Sequence, residues 1–166
     1  MPGSPYVIDY RGRFDFAVPP EEMWAALEQA ERFEGWWGWL REFRLEGAGL
    51  SSGSVLHGLV SPPVPYAMRV RVVLDRCRRP ECIDATVAGD LEGSARLVLH
   101  RRGDGAGTSA EVAWSVEMMQ RPMRIAARVA APLLRFGHDR VVDATVAGFR
   151  RHLRTEPEAA PSGEPR

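Results

Sequence analysis

The sequence RPMRIAARVAAPLLRFGHDRVVDATVAGFRRHLR, residues 121–154, decides how the rest of this chain is arranged. Small or apolar residues recur in it every three or four positions, which is the spacing of one face of an α-helix. These residues are Met123, Ala127, Ala130, Leu134, Gly137, Val141, Thr145 and Gly148. The opposite face is charged, with Arg124, Arg128, Arg135, Asp139, Asp143, Arg150 and Arg154. Because proline lacks an amide hydrogen, we expect Pro132 to kink or break this run, leaving a main helix of about twenty residues.

The face of this helix that we expect to be buried combines large side chains with very small ones. Leu134, Val141 and Phe149 alternate along it with Gly137, Ala144 and Gly148. Small residues allow a neighbour to approach closely. That neighbour is either the backbone of a sheet or a ligand held between the helix and a sheet.

The chain before residue 121 is typical of strands joined by short turns. Alternating apolar and polar residues predict a first strand at residues 6–18, followed by two short helices at residues 21–32 and 33–43. Six more strands are predicted from residue 44 onward, including residues 53–61, 66–77, 82–89, 91–101 and 108–119. Consecutive strands on short turns form an antiparallel meander. The order β-α-α-β6-α therefore predicts an α+β fold in which a curved, seven-stranded antiparallel sheet wraps around the long C-terminal helix.

The length and charge of the chain limit its organisation and its partners. The 166 residues fit one domain, which we place at residues 1–154, and the Pro- and Glu-rich residues 155–166 predict a disordered tail. Basic and acidic residues balance at 22 each, which argues against a general nucleic-acid binder. All 22 basic residues are arginines, so the chain has no lysine for a Schiff base.

Neither a membrane span nor a metal site is predicted. No apolar run is long enough to cross a bilayer, and the N-terminus lacks the pattern of an export signal, so we expect a cytoplasmic protein. In that reducing compartment Cys77 and Cys82 are expected to stay free thiols. No cluster of His, Cys, Asp or Glu has metal-ligand spacing, and we expect no cofactor. Either a monomer or a homodimer is compatible with the sequence.

Several side chains are candidates for a ligand site. Strand phase places Tyr10, Tyr66 and His57 inward as possible polar anchors, although glycines near His57 leave its face open. His138 is either a general base or a bystander beside an Arg135–Asp139 ion pair.

Tryptophan and methionine residues supply apolar candidates. Residues 36–39 contain three tryptophans, for which two interpretations are open. Either all three fill one end of the core, or one of Trp37 and Trp39 stacks on a bound molecule. Because methionine adapts its shape to irregular apolar surfaces, Met68, Met118, Met119 and Met123 are expected to fill the core.

Particular local sequences resemble the START-like or SRPBCC superfamily, and within it the polyketide cyclase/dehydrase-type proteins. The similar segments are FAVPPEEMWAAL at residues 16–27, WWGWL at residues 36–40, GDLEG at residues 89–93, and PLL followed by GHD in residues 132–139. The resemblance covers residues 6–153. It implies a helix-grip fold with an elongated apolar cavity between the sheet and the last helix, and ligands such as lipids, polyketides or other hydrophobic molecules. It also implies that the four methionines named above line the entry to this cavity, with the Pro-rich loop at residues 61–65 as a lid.

Together these signals predict that the chain binds a hydrophobic small molecule, such as a lipid, polyketide or isoprenoid-like compound, as a non-enzymatic carrier. The alternative is a polyketide cyclase/aromatase-like enzyme that uses an acid–base residue in the same cavity. We find no sequence signal for an exposed interface with another protein. The predicted ligand-binding residues are Trp37, Trp39, His57, Tyr66, Met68, Trp114, Met118, Met123, Leu134, Gly137, His138 and Val141.

Overall fold

Seven antiparallel strands form one sheet in the computed structural model, which describes residues 6–62, 67–103, 105–129 and 131–155. The strands are β1 (Val7–Phe16), β2 (Leu40–Glu46), β3 (Val55–Val60), β4 (Met68–Arg78), β5 (Cys82–Gly89), β6 (Leu91–Arg101) and β7 (Thr108–Met118). Their order across the sheet is β1-β7-β6-β5-β4-β3-β2, so only β1 pairs with a strand distant in sequence. The predicted seven-stranded antiparallel sheet is confirmed. The predicted tail lies outside the described residues, except for the first of them, Thr155.

Two short helices connect β1 to β2. Helix α1 (Pro20–Leu27) starts with proline in its first turn, where the missing amide hydrogen costs nothing, and Glu21 and Glu22 complement the helix dipole. A single 3₁₀ turn (Ala30–Arg32) then leads into α2 (Phe33–Trp36). The expectation that the aromatic helix extends to residue 43 is wrong. It ends at Trp36 because the chain turns at Gly38 and pairs as a strand from Leu40 onward.

The C-terminal stretch forms α3 (Arg121–Val129) and α4 (Ala131–Thr155). Pro132 therefore lies in the first turn of α4 instead of in the middle of one long helix, as expected for a residue that cannot donate a backbone hydrogen bond. With 25 residues, α4 is about 37 Å long, enough to lie along most of the sheet. Within the described chain, no helix is both long and apolar enough to cross a membrane.

The strand register makes one face of the sheet apolar. Directly paired residues lie on the same face. One such row crosses six strands through Leu56, Val72, Val87, Gly93, Val116 and Ile8. The neighbouring row on this face consists of Leu74, Ala85, Ala95, Trp114 and Tyr10. The rows that alternate with these apolar rows carry charges, such as the pair Asp84 and Arg96, and form the outer face.

Apolar side chains pack densely at both ends of the inner face. At one end Phe16, Trp24 and Phe149 join α1, the sheet and the C-terminal part of α4. At the other end a group that we call the methionine cluster joins α3 and the start of α4 to the sheet. Its buried members are Met68, Met118, Met123, Ala127 and Leu134. The middle of the inner face, between these two ends, is where the candidate site lies.

Candidate functional site

A cavity of about 390 Å³ lies on the inner face of the sheet. Its floor is formed by β3 to β7, with residues that include Leu56, Gly58, Val72, Ala85, Ala95 and Trp114. Its rim comes from the helices and β2, with Leu27, Phe33, Trp37, Trp39, Leu40 and Phe43. Ala85 and Ala95 are direct partners in the sheet, so the two strands at the centre of the floor carry only methyl groups there. These short side chains leave room for the cavity above the sheet.

Both charged or titratable residues along the cavity wall turn their side chains to the outer face. His57 is paired with Arg71 across the sheet, and its Nε2 lies 3.2 Å from Oε1 of Glu46. Arg96 is paired with Asp84, and its Nε lies 3.3 Å from Oδ1 of that carboxylate. The interior of the cavity is consequently apolar on the sheet side. The face of His57, which the sequence left open, is the outer one.

Trp37 and Trp39 stack on each other at the rim, with ring centroids 5.6 Å apart and planes inclined by 15°. The indole nitrogen of Trp37 donates a hydrogen bond of 2.9 Å to the backbone oxygen of Thr145 on α4. The indole nitrogen of Trp39 is buried and, within the described residues, has no acceptor. A buried donor without a partner costs free energy in the empty protein, and an acceptor on a bound molecule would recover it.

The small residue Gly148 brings α4 close to α2. A Cβ atom at Gly148 would lie 3.0 Å from Cδ1 of Trp37 and would overlap the carbonyl oxygen of Trp36. The sequence suggested a sheet backbone or a ligand as the close neighbour. The neighbour at Gly148 is instead the end of α2, and this contact positions the two stacked indoles over the sheet.

An aromatic group closes the β1 side of the floor. Tyr10 stacks on Trp114 with ring centroids 4.5 Å apart, and the imidazole of His138 meets both rings edge-on. Nε1 of Trp114 donates a 3.2 Å hydrogen bond to Nε2 of His138. Nδ1 of the same imidazole lies 3.3 Å from Oδ1 of Asp139. Burial, and then the nearby carboxylates of Asp139 and Asp143, raise the pKa of the Tyr10 hydroxyl.

Some of the predicted site residues come together at this cavity. Trp37, Trp39, His57 and Trp114 border it, His57 with its side chain directed away. On α4, His138 contacts Trp114, Gly137 is buried and Val141 is half-buried, and these three residues are not among those that border the cavity. Tyr66 and part of the proposed lid, residues 63–65, lie outside the described residues.

The remaining predicted residues lie beside the cavity. Met68, Met118, Met123 and Leu134 belong to the methionine cluster, where they pack against each other and the sheet. That they contact a ligand stays a prediction. Sequence reasoning missed the floor residues Leu56, Val72, Ala85 and Ala95. Strand phase could have indicated them, but alanines in a strand give a weak signal because they suit either face.

Of the comparisons with known proteins, the one with solved structures shows the fold of this chain. No family model and no curated protein matches the sequence. Among solved structures, TTHA0849 from Thermus thermophilus is similar at 13% identity and a TM-score of 0.71, over 90% of this chain and 100% of that one. The Zhui aromatase/cyclase from Streptomyces is similar at 13% identity and a TM-score of 0.67, over 89% and 94% of the two chains. A START superfamily protein from Mycobacterium smegmatis has 12% identity and a TM-score of 0.67, over 88% and 97%. The chain therefore has the helix-grip fold of START superfamily proteins and polyketide aromatase/cyclases, as its sequence predicted.

Proposed function

We propose that this protein binds a small, mainly apolar molecule that carries at least one hydrogen-bond acceptor, in the cavity between the sheet and the α2 end. One observation supports this most directly: a cavity of about 390 Å³ with apolar inward side chains has at its rim a buried donor, the indole nitrogen of Trp39, that finds no acceptor among the described residues. Ligand sites are typically apolar and of about 300–1,000 Å³, with a few polar groups that set orientation.

The aromatic rim favours a flat, ring-containing ligand. Phe33, Trp37, Trp39 and Trp114 all border the cavity, and flat rings pack well against such side chains in offset or edge-on arrangements. Burial of the ligand's apolar surface would supply most of the affinity, at about 25 cal/mol per Å². The hydrogen bond to Trp39 would then fix which end of the ligand faces α2.

The alternative of an aromatase/cyclase-like enzyme needs an acid–base group that reaches the bound molecule. The acid–base candidate His138 does not border the cavity and contacts the floor residue Trp114 instead. Its Nε2 already accepts the hydrogen bond from Trp114, so this nitrogen is not free to take a proton from a ligand. The geometry thus favours binding over catalysis as the proposed activity.

A matched pair of probes tests the proposal. Naphthalene and 2-acetylnaphthalene share a ring system, but only the second has a carbonyl acceptor. We expect both to quench tryptophan fluorescence, with tighter binding of 2-acetylnaphthalene. Trp39→Phe should weaken binding of the acetyl compound by roughly five- to tenfold, the value of one hydrogen bond to a buried donor. Naphthalene binding should change little, because the aromatic surface at that position is largely kept.

Trp36→Phe is the control, since Trp36 lies in the same segment but does not itself border the cavity; its ring contacts Phe149 and His152 as well as Phe33 and Trp37. It should leave the preference for the acetyl compound intact. Native mass spectrometry and solvent extraction of the purified protein would look for a natural ligand in parallel. The proposal is wrong if neither probe binds and nothing apolar co-purifies, and the role of Trp39 is wrong if Trp39→Phe weakens both probes equally.

A further inference from the structure

The exposed large apolar side chains of the described residues are concentrated in one segment. They are Met119, Ile125, Val129, Leu133 and Phe136. The last four follow one another at spacings of four, four and three residues, across the junction of α3 and α4. Val129 is 83% exposed and Ile125 is 65% exposed, so neither is covered by the core. We call these four residues the apolar stripe.

The stripe faces away from the protein interior. In α3, Met123 and Ala127 are buried in the methionine cluster, two positions before Ile125 and Val129. Two residues along a helix correspond to a rotation of about 200°, so the buried and exposed pairs lie on opposite faces. In α4, Leu134 is buried while Leu133 and Phe136 are exposed. Both helices therefore have one apolar face in the core and a second apolar face toward solvent.

The surroundings of the stripe are strongly basic. No acidic residue occurs between Glu117 and Asp139, whereas this interval holds four arginines, Arg121, Arg124, Arg128 and Arg135. Arg124 pairs with Glu117 at 3.0 Å, and Arg128 donates to the hydroxyl of Tyr6. In the described part of the chain, no ion pair is formed by Arg121 or Arg135. The segment thus keeps an excess of positive charge next to exposed apolar side chains.

We propose that this face, formed by α3 and the first turns of α4, binds the surface of an anionic lipid membrane. Helices that lie in a membrane interface place aromatic and aliphatic residues on one face and arginines beside them. Arginine stems extend along apolar surface while their guanidinium groups reach the lipid phosphates. Charge complementarity selects a negatively charged bilayer, since each arginine near such a surface contributes attraction. This inference is independent of the cavity proposal.

Vesicle flotation with the full chain tests the inference. We expect binding to vesicles of phosphatidylcholine with phosphatidylglycerol, and much weaker binding to vesicles of phosphatidylcholine alone. The double variant Val129→Ser/Phe136→Ser should reduce the partition coefficient at least tenfold, because it removes two of the four apolar contacts. Arg135→Gln should reduce it roughly fivefold.

Arg11→Gln is the matched control. Arg11 is an exposed arginine on the outer face of the sheet, where it pairs with Ala113, and its replacement should leave vesicle binding unchanged. Equal losses for Arg135→Gln and Arg11→Gln, or no difference between the two vesicle types, would overturn the proposal. Light scattering of the protein in solution provides the other decisive result. A stable dimer that dissociates in the Val129→Ser/Phe136→Ser variant would show that a second copy, not a membrane, covers the stripe.

Discussion

The indole nitrogen of Trp114 on β7 donates a hydrogen bond to Nε2 of His138 on α4, across 3.2 Å. This bond joins the floor of the cavity to the long helix at a point where the residues of α4 do not themselves border the cavity. Tyr10 lies against both rings and completes the contact between β1, β7 and α4. This group and the Trp37–Thr145 hydrogen bond, about two turns further along α4, therefore hold the middle of the helix in place, while apolar packing holds its two ends.

Replacing His138 by leucine should destabilise the fold. The indole nitrogen of Trp114 would lose its acceptor in a partly buried position, which costs about 1–3 kcal/mol of unfolding free energy. His138→Gln retains a side-chain acceptor and should recover part of the loss. Urea unfolding of the two variants measures the difference, with the exposed His100→Gln as a control that should stay within about 0.5 kcal/mol of the parent. Equal stability of His138→Leu and the parent would show that the hydrogen bond contributes nothing.

Stability should decline at alkaline pH in a way that depends on Tyr10. The pKa of its hydroxyl is raised in the folded protein by burial and by Asp139 and Asp143. Above the unfolded value of about 10, the unfolded chain has released this proton while the folded chain keeps it. Because the unfolded state then binds fewer protons, unfolding free energy falls as pH rises through this window.

Tyr10→Phe removes the titrating group, so its unfolding free energy should fall less steeply than that of the parent between about pH 9 and pH 11. Absorbance titration of tyrosinate provides a direct check, since the variant should lack the transition at the highest pH. If the two proteins lose stability in parallel, the environment assigned to Tyr10 is incorrect.

Gly148→Ala should separate α4 from α2. Its methyl group would overlap the carbonyl oxygen of Trp36 and press on the ring of Trp37. Overpacking of this kind costs about 1–3 kcal/mol and would also lengthen the Trp37–Thr145 hydrogen bond. Gly35→Ala is the control, because a Cβ at Gly35 meets no atom of the residues that the structure describes within 4 Å. Thermal or urea unfolding should rank Gly148→Ala well below Gly35→Ala, and a tie would mean that the helices can adjust without cost.

Ala95→Leu should fill the cavity from its floor. The larger side chain would occupy space that the Ala85–Ala95 pair leaves open, so 2-acetylnaphthalene binding should drop at least tenfold while the protein stays folded. Ala113→Leu adds the same side chain to the opposite face, because Ala113 pairs with Arg96 and Arg11 in the outward row. Its binding should be unchanged. Fluorescence titration and circular dichroism of both variants distinguish blocked binding from unfolding.

Much of the fold is predictable because its signals are local. Alternation in residues such as Val70, Val72 and Leu74 reports a half-buried strand, and the spacing of Leu134 and Val141 reports a helix with one buried face. The errors fall where a local signal ends. The aromatic segment is helical only to Trp36 because the chain pairs as a strand from Leu40, which lies opposite Val60. That partner is distant in the sequence, so no local pattern indicates the change.

The candidate site was predictable only in part. Trp37, Trp39 and Trp114 were named from their size and position, and all three border the cavity. The side chain of His57 faces outward because its strand pairs with β4 in the register that sets His57 opposite Arg71. The sequence could not show this face, because nearby glycines can introduce bulges that shift the alternation. The exposed stripe around Val129 was missed. A helical repeat shows that apolar residues are present, but not how many of them the core can cover.

The sequence by itself determined the order of strands and helices, the apolar inner face and the break near Pro132, because these depend on residue period and on the chemistry of neighbouring residues. Only the tertiary structure decided which residues from different segments come into contact and which stay exposed. It placed Gly148 against Trp36, left the indole nitrogen of Trp39 without an acceptor among the described residues, and exposed Val129. These are relationships between segments brought together by folding, and their geometry depends on how whole elements pack rather than on any stretch read alone.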